Sequence, residues 1–470
     1  MGKRQRVLVA GLVVFGLVAA ACSEDEGVDA PATEAPAATE APAATEAPAG
    51  SEAPTTEAPS ELPIQQSTLD TGLSYVGGTA GVASGDPIYI GYVNQEGATP
   101  AFPEATNGAR SAAWFINNFL GGIGGRPIEL VECFVTKEED GQKCAQEMLA
   151  NEDVQVVVTG ALFNGTAPLL DGLKDKKPVI LGNPTTTPEF LATDAYAFTS
   201  GSPGVVQGMS VFAANYLGDL EGIEIKKAAV VYNDNPAGTI AFTALTKPVL
   251  ESLGLEVTGV PVADTAGPTE MATAIQAAGA DSADVFLPLV VIQSCIGIYD
   301  ALKTLEIDTP VVTTGLCFGL PMQDHMAAVG ESGKLPDGWY FVGYGYSYEI
   351  PGDANTDAYM DAVLAWAEDQ GIEDVEYTGF GGPTFATFMT VAQFMNGGAA
   401  DSAGIRDAVK AFTGPQWGVV GDMQCGANTT FTSLCGFAVG VQQQQGDKYV
   451  SILDGYNGKF LNPVEELGQS

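Results

Sequence analysis

The stretch from Val154 to Phe190 constrains this chain more than any other. Val154-Gln-Val-Val-Val-Thr-Gly160 and Lys177-Pro-Val-Ile-Leu-Gly182 are short, apolar and β-branched, and each runs through glycine into a small polar loop. A buried parallel strand reads this way, its carboxyl end opening into a turn. The residues between the two runs suffice for a crossover helix, which makes the stretch a βαβ unit. In open parallel sheets, ligands sit outside the carboxyl ends of the strands. The groups placed there are Asn164, Gly165, Thr166 and Thr185 to Thr187, with Phe163 beside them. Pro168 and Pro188 each suit a first helical turn, so unpaired backbone N–H groups are expected to face the same place. The expectation is a pocket for a small polar or anionic ligand, without a catalytic constellation.

The rest of the composition removes whole classes of function. The chain has 470 residues, 46% apolar, enough for a core of more than one domain. Its net charge of −39 repels nucleic acid, and otherwise reads as solubility or a salty habitat. The single histidine, His325, leaves no histidine triad or multi-histidine metal site, and reads as a surface helix residue. Gly201-Ser-Pro-Gly204 and Gly330-Glu-Ser-Gly333 lack nucleophile-elbow spacing, and no Walker loop is present. Glu138-Glu-Asp140 reads as solvated surface. No enzyme, cofactor or metal is expected.

At the N-terminus, Met1 to Arg6 is basic and Val7 to Ala21 is apolar, too short for a comfortable membrane span and suited to a signal peptide. The run ends Val18-Ala-Ala-Ala-Cys22-Ser and resembles a bacterial lipoprotein signal. The resemblance implies that Cys22 becomes the first residue, carries lipid and holds the protein on the outer face of the cell membrane. An ordinary signal peptide cleaved nearby is the alternative. Each buried acyl methylene contributes about 0.8 kcal/mol, so several chains would anchor firmly. Pro31 to Ser60 is low in complexity, repeating Glu-Ala-Pro-Ala-Ala-Thr from Glu34 and Glu40. Such a composition cannot bury a core. Residues 23–85 are expected to be a disordered acidic tether of roughly 3 Å per residue where extended, whose threonines could carry sugars.

From Asp86 onward, strand and helix alternate: Asp86 to Val93, a helix with Ala109, Ala112, Ala113, Ile116, Phe119 and Leu120 on one face, then Arg126 to Glu132. This is a doubly wound α/β pattern. Ile88-Tyr-Ile-Gly91, Asn107-Gly-Ala-Arg110, Ile116-Asn-Asn118, Gly121-Gly-Ile-Gly-Gly-Arg126 and Val157-Val-Thr-Gly160, in that order, resemble the branched-chain amino-acid and amide substrate-binding proteins of ABC importers. The resemblance implies the type I periplasmic-binding fold: two α/β lobes, a three-segment hinge and a ligand cleft between. The first crossover is expected near Phe198 to Gly204. Second-lobe strands are expected at Lys227–Tyr232, Leu255–Val262, Ala283–Leu287, Pro310–Thr313 and Gly338–Val342. Lobe 1 would then comprise 86–200 and 345–414, and lobe 2 would comprise 201–344 and 415–465.

Seven cysteines leave six if Cys22 is lipidated, an even number in an exported protein. Six cysteines permit 15 pairings. The strand and helix reading favours three local ones: Cys133 with Cys144, Cys295 with Cys317, and Cys425 with Cys435 across a hairpin. A metal site is the rival, though its cysteines would normally cluster in close pairs.

Carried over residue by residue, the family serine that meets the ligand carboxylate falls on Asn164, the family threonine on Thr186, and the family aromatic near Phe102. In the second lobe the family tyrosines fall on Ala237 and near Val291, and the region of the family's acidic residue reads Thr313-Thr-Gly-Leu-Cys-Phe-Gly319, with no carboxylate. An ammonium buried without a partner is costly. A short or aromatic carboxylate or an amide therefore fits better than a plain α-amino acid, unless Asp234 serves as counter-ion. Gln293 and Phe318 are further candidates. The resemblance implies a lipid-anchored, extracytoplasmic, monomeric solute receptor that hands its ligand to an ABC permease and its ATPase. A ligand sensor of the same fold reporting to a membrane receptor, or a structural lipoprotein with a degenerate cleft, would share these features.

Overall fold

In a computed structural model of the chain, two parallel sheets stand where the alternating pattern places them; the structure describes residues 63–97, 100–344, 353–419, 421–453 and 460–468. The first sheet holds β1 (Ile88–Gln95), β2 (Ile128–Val135), β3 (Val157–Ala161), β4 (Val179–Asn183) and β5 (Ala195–Tyr196), in the order β2-β1-β3-β4-β5. Every pairing in it is parallel. β3 and β4 are buried at each residue, which is why they read as unbroken apolar runs.

The second lobe repeats the arrangement. It holds β6 (Lys227–Asn233), β7 (Glu256–Val262), β8 (Val285–Leu289), β9 (Val312–Thr314), β10 (Tyr340–Gly343), β11 (Gly440–Gln445) and β12 (Lys448–Ser451). The orders β7-β6-β8 and β12-β11-β10-β9 are joined by a parallel bridge between Phe286 and Val311. β11 and β12 are antiparallel additions at one edge. In both lobes the order reverses beside the first strand, the switch point at which open α/β sheets bind ligands.

Among the described residues seven helices come before β6: α1 (Gln66–Val76), α2 (Pro103–Phe119), α3 (Glu138–Ala150), α4 (Thr166–Leu173), α5 (Thr187–Phe190), α6 (Gly201–Asn215) and the short α7 (Leu217–Glu221). α2 buries Ala105, Ala109, Ala112 and Ile116 against the first sheet. The helix Gly381–Asn396 crosses it so closely that a Cβ on Gly108 would lie 2.2 Å from the Gly381 carbonyl oxygen. Only glycine fits there, which gives Gly108 of the Asn107-Gly-Ala-Arg110 motif a packing reason. α6 belongs to the second core, with Met209 and Phe212 among Val230, Val285 and Leu287.

The structure departs from the expected organisation in three places. Residues 23–85 are not all tether: α1 lies within that range, and Ile64 and Val76 are buried in the first-lobe core. Its apolar residues are few, and they find partners chiefly on the two helices Ala354–Gln370 and Gly381–Asn396. The last crossover does not fall at 415. Trp417, Val419, Met423 and Cys435 remain in the first-lobe core, Leu434 bridges Ala197 in parallel, and the second core resumes at Val439. The segment between Cys425 and Cys435 is a series of turns rather than a hairpin. Three local disulfides close: Cys133–Cys144, Cys295–Cys317 and Cys425–Cys435. Cys22 and the low-complexity repeat lie outside the described residues.

α1 is tied down by Tyr75. Its hydroxyl pairs with Thr390 Oγ1 at 2.8 Å and accepts the Trp417 backbone N–H at 2.9 Å, while its ring meets the Trp417 ring edge-on. Replacing Tyr75 with Phe should cost about 1 kcal/mol in denaturant unfolding, because the N–H of fully buried Trp417 loses its acceptor. A chain begun at Asp86 should melt roughly 5 °C or more below one begun at Pro63; equal melting would mean that α1 contributes nothing.

Candidate ligand-binding site

The carboxyl ends of both sheets open on one cavity of about 480 Å³. Its first-lobe wall comes from the loops after β1, β3 and β4, and its second-lobe wall from those after β6, β8, β9 and β10.

Strand-end amides hold the first-lobe loops. Asn94 is fully buried at the end of β1. Its Nδ2 donates to the Phe102 carbonyl at 2.7 Å and to Thr106 Oγ1 at 3.0 Å, and its Oδ1 accepts the Ala161 N–H at 2.9 Å. Gln95 Nε2 donates to the Pro100 carbonyl, and its Oε1 accepts the N–H groups of Phe163 and Asn164, both at 2.9 Å. Asn183, at the end of β4, donates to Thr384 Oγ1 and to the Phe380 carbonyl. A loop leaving a strand exposes unpaired backbone groups, and an amide carries both a donor and an acceptor to meet them. In this way Phe102, Phe163 and Phe380 are brought together, with ring centroids 5.1 and 5.2 Å from Phe102.

Internal acceptors also take the backbone donors just ahead of α4 and α5. The N–H groups of Phe163 and Asn164 are taken by Gln95, that of Gly165 by Glu138 Oε2 at 2.7 Å, and those of Thr185 and Thr186 by Glu189 Oε2 at 2.8 and 2.9 Å. These donors face the protein's own acceptors instead of a ligand.

The candidate residues divide accordingly. Phe102, Phe163, Thr185, Ala237, Val291, Gln293 and Phe318 line the cavity. Asn164, Thr166, Thr186 and Asp234 do not. Asn164 turns its amide toward Gln95 Oε1 at 3.3 Å. Thr186 caps α5: its hydroxyl bonds Glu189 Oε2 at 2.9 Å and Thr166 Oγ1 at 3.1 Å. A strand-end amide claims Asn164 and a helix cap claims Thr186, and their neighbours Phe163, Thr185 and Thr187 take the wall. Asp234 is exposed, with its backbone N–H paired to Val262. His325 pairs with Asp300 at 2.8 Å on the helix Leu320–Val329 and does not line the cavity.

In the second lobe, Asn233 ends β6 as Asn94 ends β1. It is buried, its Oδ1 accepts the Val291 N–H at 2.8 Å, and its Nδ2 donates to Ser294 Oγ. The Cys295–Cys317 bond joins the two loops that carry Val291 and Gln293 on one side and Leu316 and Phe318 on the other. Phe318 packs on Tyr449, with ring centroids 4.9 Å apart.

One acidic group in the wall was not anticipated. Glu104, in the first turn of α2, lines the cavity with Glu376. Burial pushes its carboxyl up to about 8, with Glu376 and Glu96 adding to the rise, while its own N–H and that of Phe380 oppose it. Buried Glu189 is likewise raised, to about 7, chiefly by desolvation. Asn94, Gln95, Asn183 and Asn233 carry a weak sequence signal, an amide closing an apolar strand run. Glu104 carries none, because Glu376 and Phe380 reach it only after the second crossover. Among the described residues no group of acidic, cysteine and histidine side chains is placed to hold a metal, and no helix is long and apolar enough to cross a membrane.

Two doubly wound lobes, three crossings and a cleft at the switch points define a bilobal solute-binding protein. The chain belongs to the periplasmic binding protein family, whose sequence model matches residues 87–447. The family places it outside the cytoplasm and among binding proteins rather than enzymes. No curated protein matches it by sequence. Among solved structures it is similar to the branched-chain amino acid transporter substrate-binding protein LivJ of Streptococcus pneumoniae in complex with isoleucine, at 20% identity and a TM-score of 0.57 over 78% of this chain and 100% of that one. It is also similar to a fatty acid ABC transporter substrate-binding protein from Thermomonospora curvata, at 16% identity and 0.59 over 82% and 95%. A third is a solute-binding protein from Rhodopseudomonas palustris in complex with 3,4-dihydroxybenzoic acid, at 15% identity and 0.60 over 82% and 100%. At these identities the likeness is one of fold.

The raised carboxyls set a pH dependence. Between 4.5 and about 8 the folded chain keeps on Glu104 a proton that the unfolded chain has lost. Stability from this group is therefore full at low pH and declines as pH rises through that window. The melting temperature of Glu104→Gln should fall less steeply than that of wild type from pH 5 to 8; parallel profiles would contradict the assignment.

Proposed function

We propose that the protein is the extracytoplasmic receptor of an ABC importer, capturing a small amphipathic solute between its lobes and delivering it to a permease driven by its ATPase. One observation carries this reading: a single cavity of about 480 Å³ takes its walls from the strand ends of both lobes. A ligand touching both walls favours the closed form by its differential affinity, without chemistry. Phe102 and Phe163 on one side, and Val291 and Phe318 on the other, would enclose the apolar body, with Thr185 and Gln293 offering polar contacts and Ala237 leaving room. Cys22 would carry lipid and hold the receptor, as a monomer, at the outer face of the membrane, with the acidic repeat as tether. The chain crosses between lobes three times, and those segments would serve as the hinge.

A thermal-shift screen over amino acids, amides, amines and short or aromatic acids tests the reading. At least one class should raise the melting temperature by several degrees at saturation, and X-ray scattering should show a smaller radius of gyration with that ligand. Phe163→Ala and Phe318→Ala, one in each lobe, should each weaken binding about tenfold or more. A response unchanged in both variants, or none to any class, would refute capture between the lobes.

A further inference from the structure

We propose that the polar end of the ligand is a positively charged nitrogen, an ammonium or amidinium, received at the first-lobe wall by Glu104 with Glu376 beside it. The inference rests on the reading of the interlobe cavity as the solute site. It begins from charge. No lysine, arginine or histidine lines the cavity, whereas two glutamates do. An anion entering this space would meet no counter-ion, and desolvating an unpaired charge is costly.

The usual substitute for a counter-ion is a set of free backbone N–H groups, and in the first-lobe loops ahead of α4 and α5 five of them are already taken. The N–H groups of residues 163, 164 and 165 and of residues 185 and 186 already donate to Gln95, Glu138 and Glu189. A carboxylate at these turns would have to displace an internal acceptor.

The wall offers a cation more. Phe102, Phe163 and Phe380 surround the approach, and aromatic faces attract positive charge. Glu104 is fixed in place: it sits in the first turn of α2, and its own N–H and the Phe380 N–H point at its carboxylate. The groups that act on it are all acidic or neutral donors. Glu376 faces it from the segment before Phe380, and Glu96, held by the Thr106 hydroxyl, faces it from the end of β1. In the empty cleft desolvation keeps the Glu104 carboxyl protonated at neutral pH. An arriving ammonium converts it to a carboxylate–ammonium pair, and the displaced proton leaves to solvent, one for each ligand bound. The second lobe lines the cavity with uncharged residues, in keeping with the missing acidic residue in the Thr313 to Gly319 region: the counter-ion stands on the opposite wall.

Isothermal calorimetry on the full chain, with phenethylamine, 3-phenylpropionate and 3-phenylpropanol as probes of one shape and three charges, tests this. At pH 7 the amine should bind about tenfold or more tighter than the acid. Titration in buffers of different ionisation enthalpy should show close to one proton released per amine at pH 7, and about half as many at a pH equal to the raised carboxyl value, where the amine is still fully charged. Glu104→Gln, shown by melting to be folded, should lose both the preference and the proton release. Glu376→Gln should keep the release and lose affinity a few fold. Tighter binding of the acid, proton uptake, or an undiminished preference in Glu104→Gln would overturn the inference and leave solute capture standing. Failure of all three probes would also overturn it, and only failure of the broader screen as well would remove the receptor reading.

Discussion

The site depends on a few amide side chains at the ends of strands. Asn94 and Gln95 close β1, and between them they bind the loop that carries Phe102 and the loops after β3. Asn183 does the same for β4 and the Phe380 turn, and Asn233 for β6 and the Val291 turn. Each is buried, so each bond forms where water does not compete. The sheets are ordinary doubly wound sheets; these amides convert their ragged carboxyl ends into two defined walls. A hydrophobic core alone would place the strands without fixing what leaves them.

Much of the frame was legible in the chain. Apolar runs ending in glycine or an amide located β1, β3, β4 and the strands of the second lobe, because a strand buried on both faces can have little else in it. The three disulfides pair the cysteines expected to pair, although the hairpin expected between Cys425 and Cys435 is a series of turns. The boundaries were less visible. α1 has only a handful of apolar residues after a long polar tract, and nothing local distinguishes a helix that will dock from one that will not. The last crossing falls later than expected because the described residues of 416–435 form no regular element whose period could be read, although Trp417 and Val419 sit deep in the first core.

The site was harder for a definite reason. Strand ends point to the right loops, yet within a loop a shift of one residue exchanges a ligand-facing side chain for a capping one. Thr185 and Thr186 are chemically alike; Glu189, three places beyond Thr186, decides which is occupied by the helix start. Phe163 and Asn164 are separated in the same way by Gln95, which lies far off in sequence. Glu104 depends on residues brought back by the second crossover, so its setting exists only in the folded chain.

The disulfides carry a mechanical consequence. Cys133–Cys144 and Cys425–Cys435 close inside the first lobe and Cys295–Cys317 inside the second. Each bond therefore ties residues of one lobe to each other, and none of the three ties one lobe to the other. Reduction would accordingly release cross-links within the lobes and none between them.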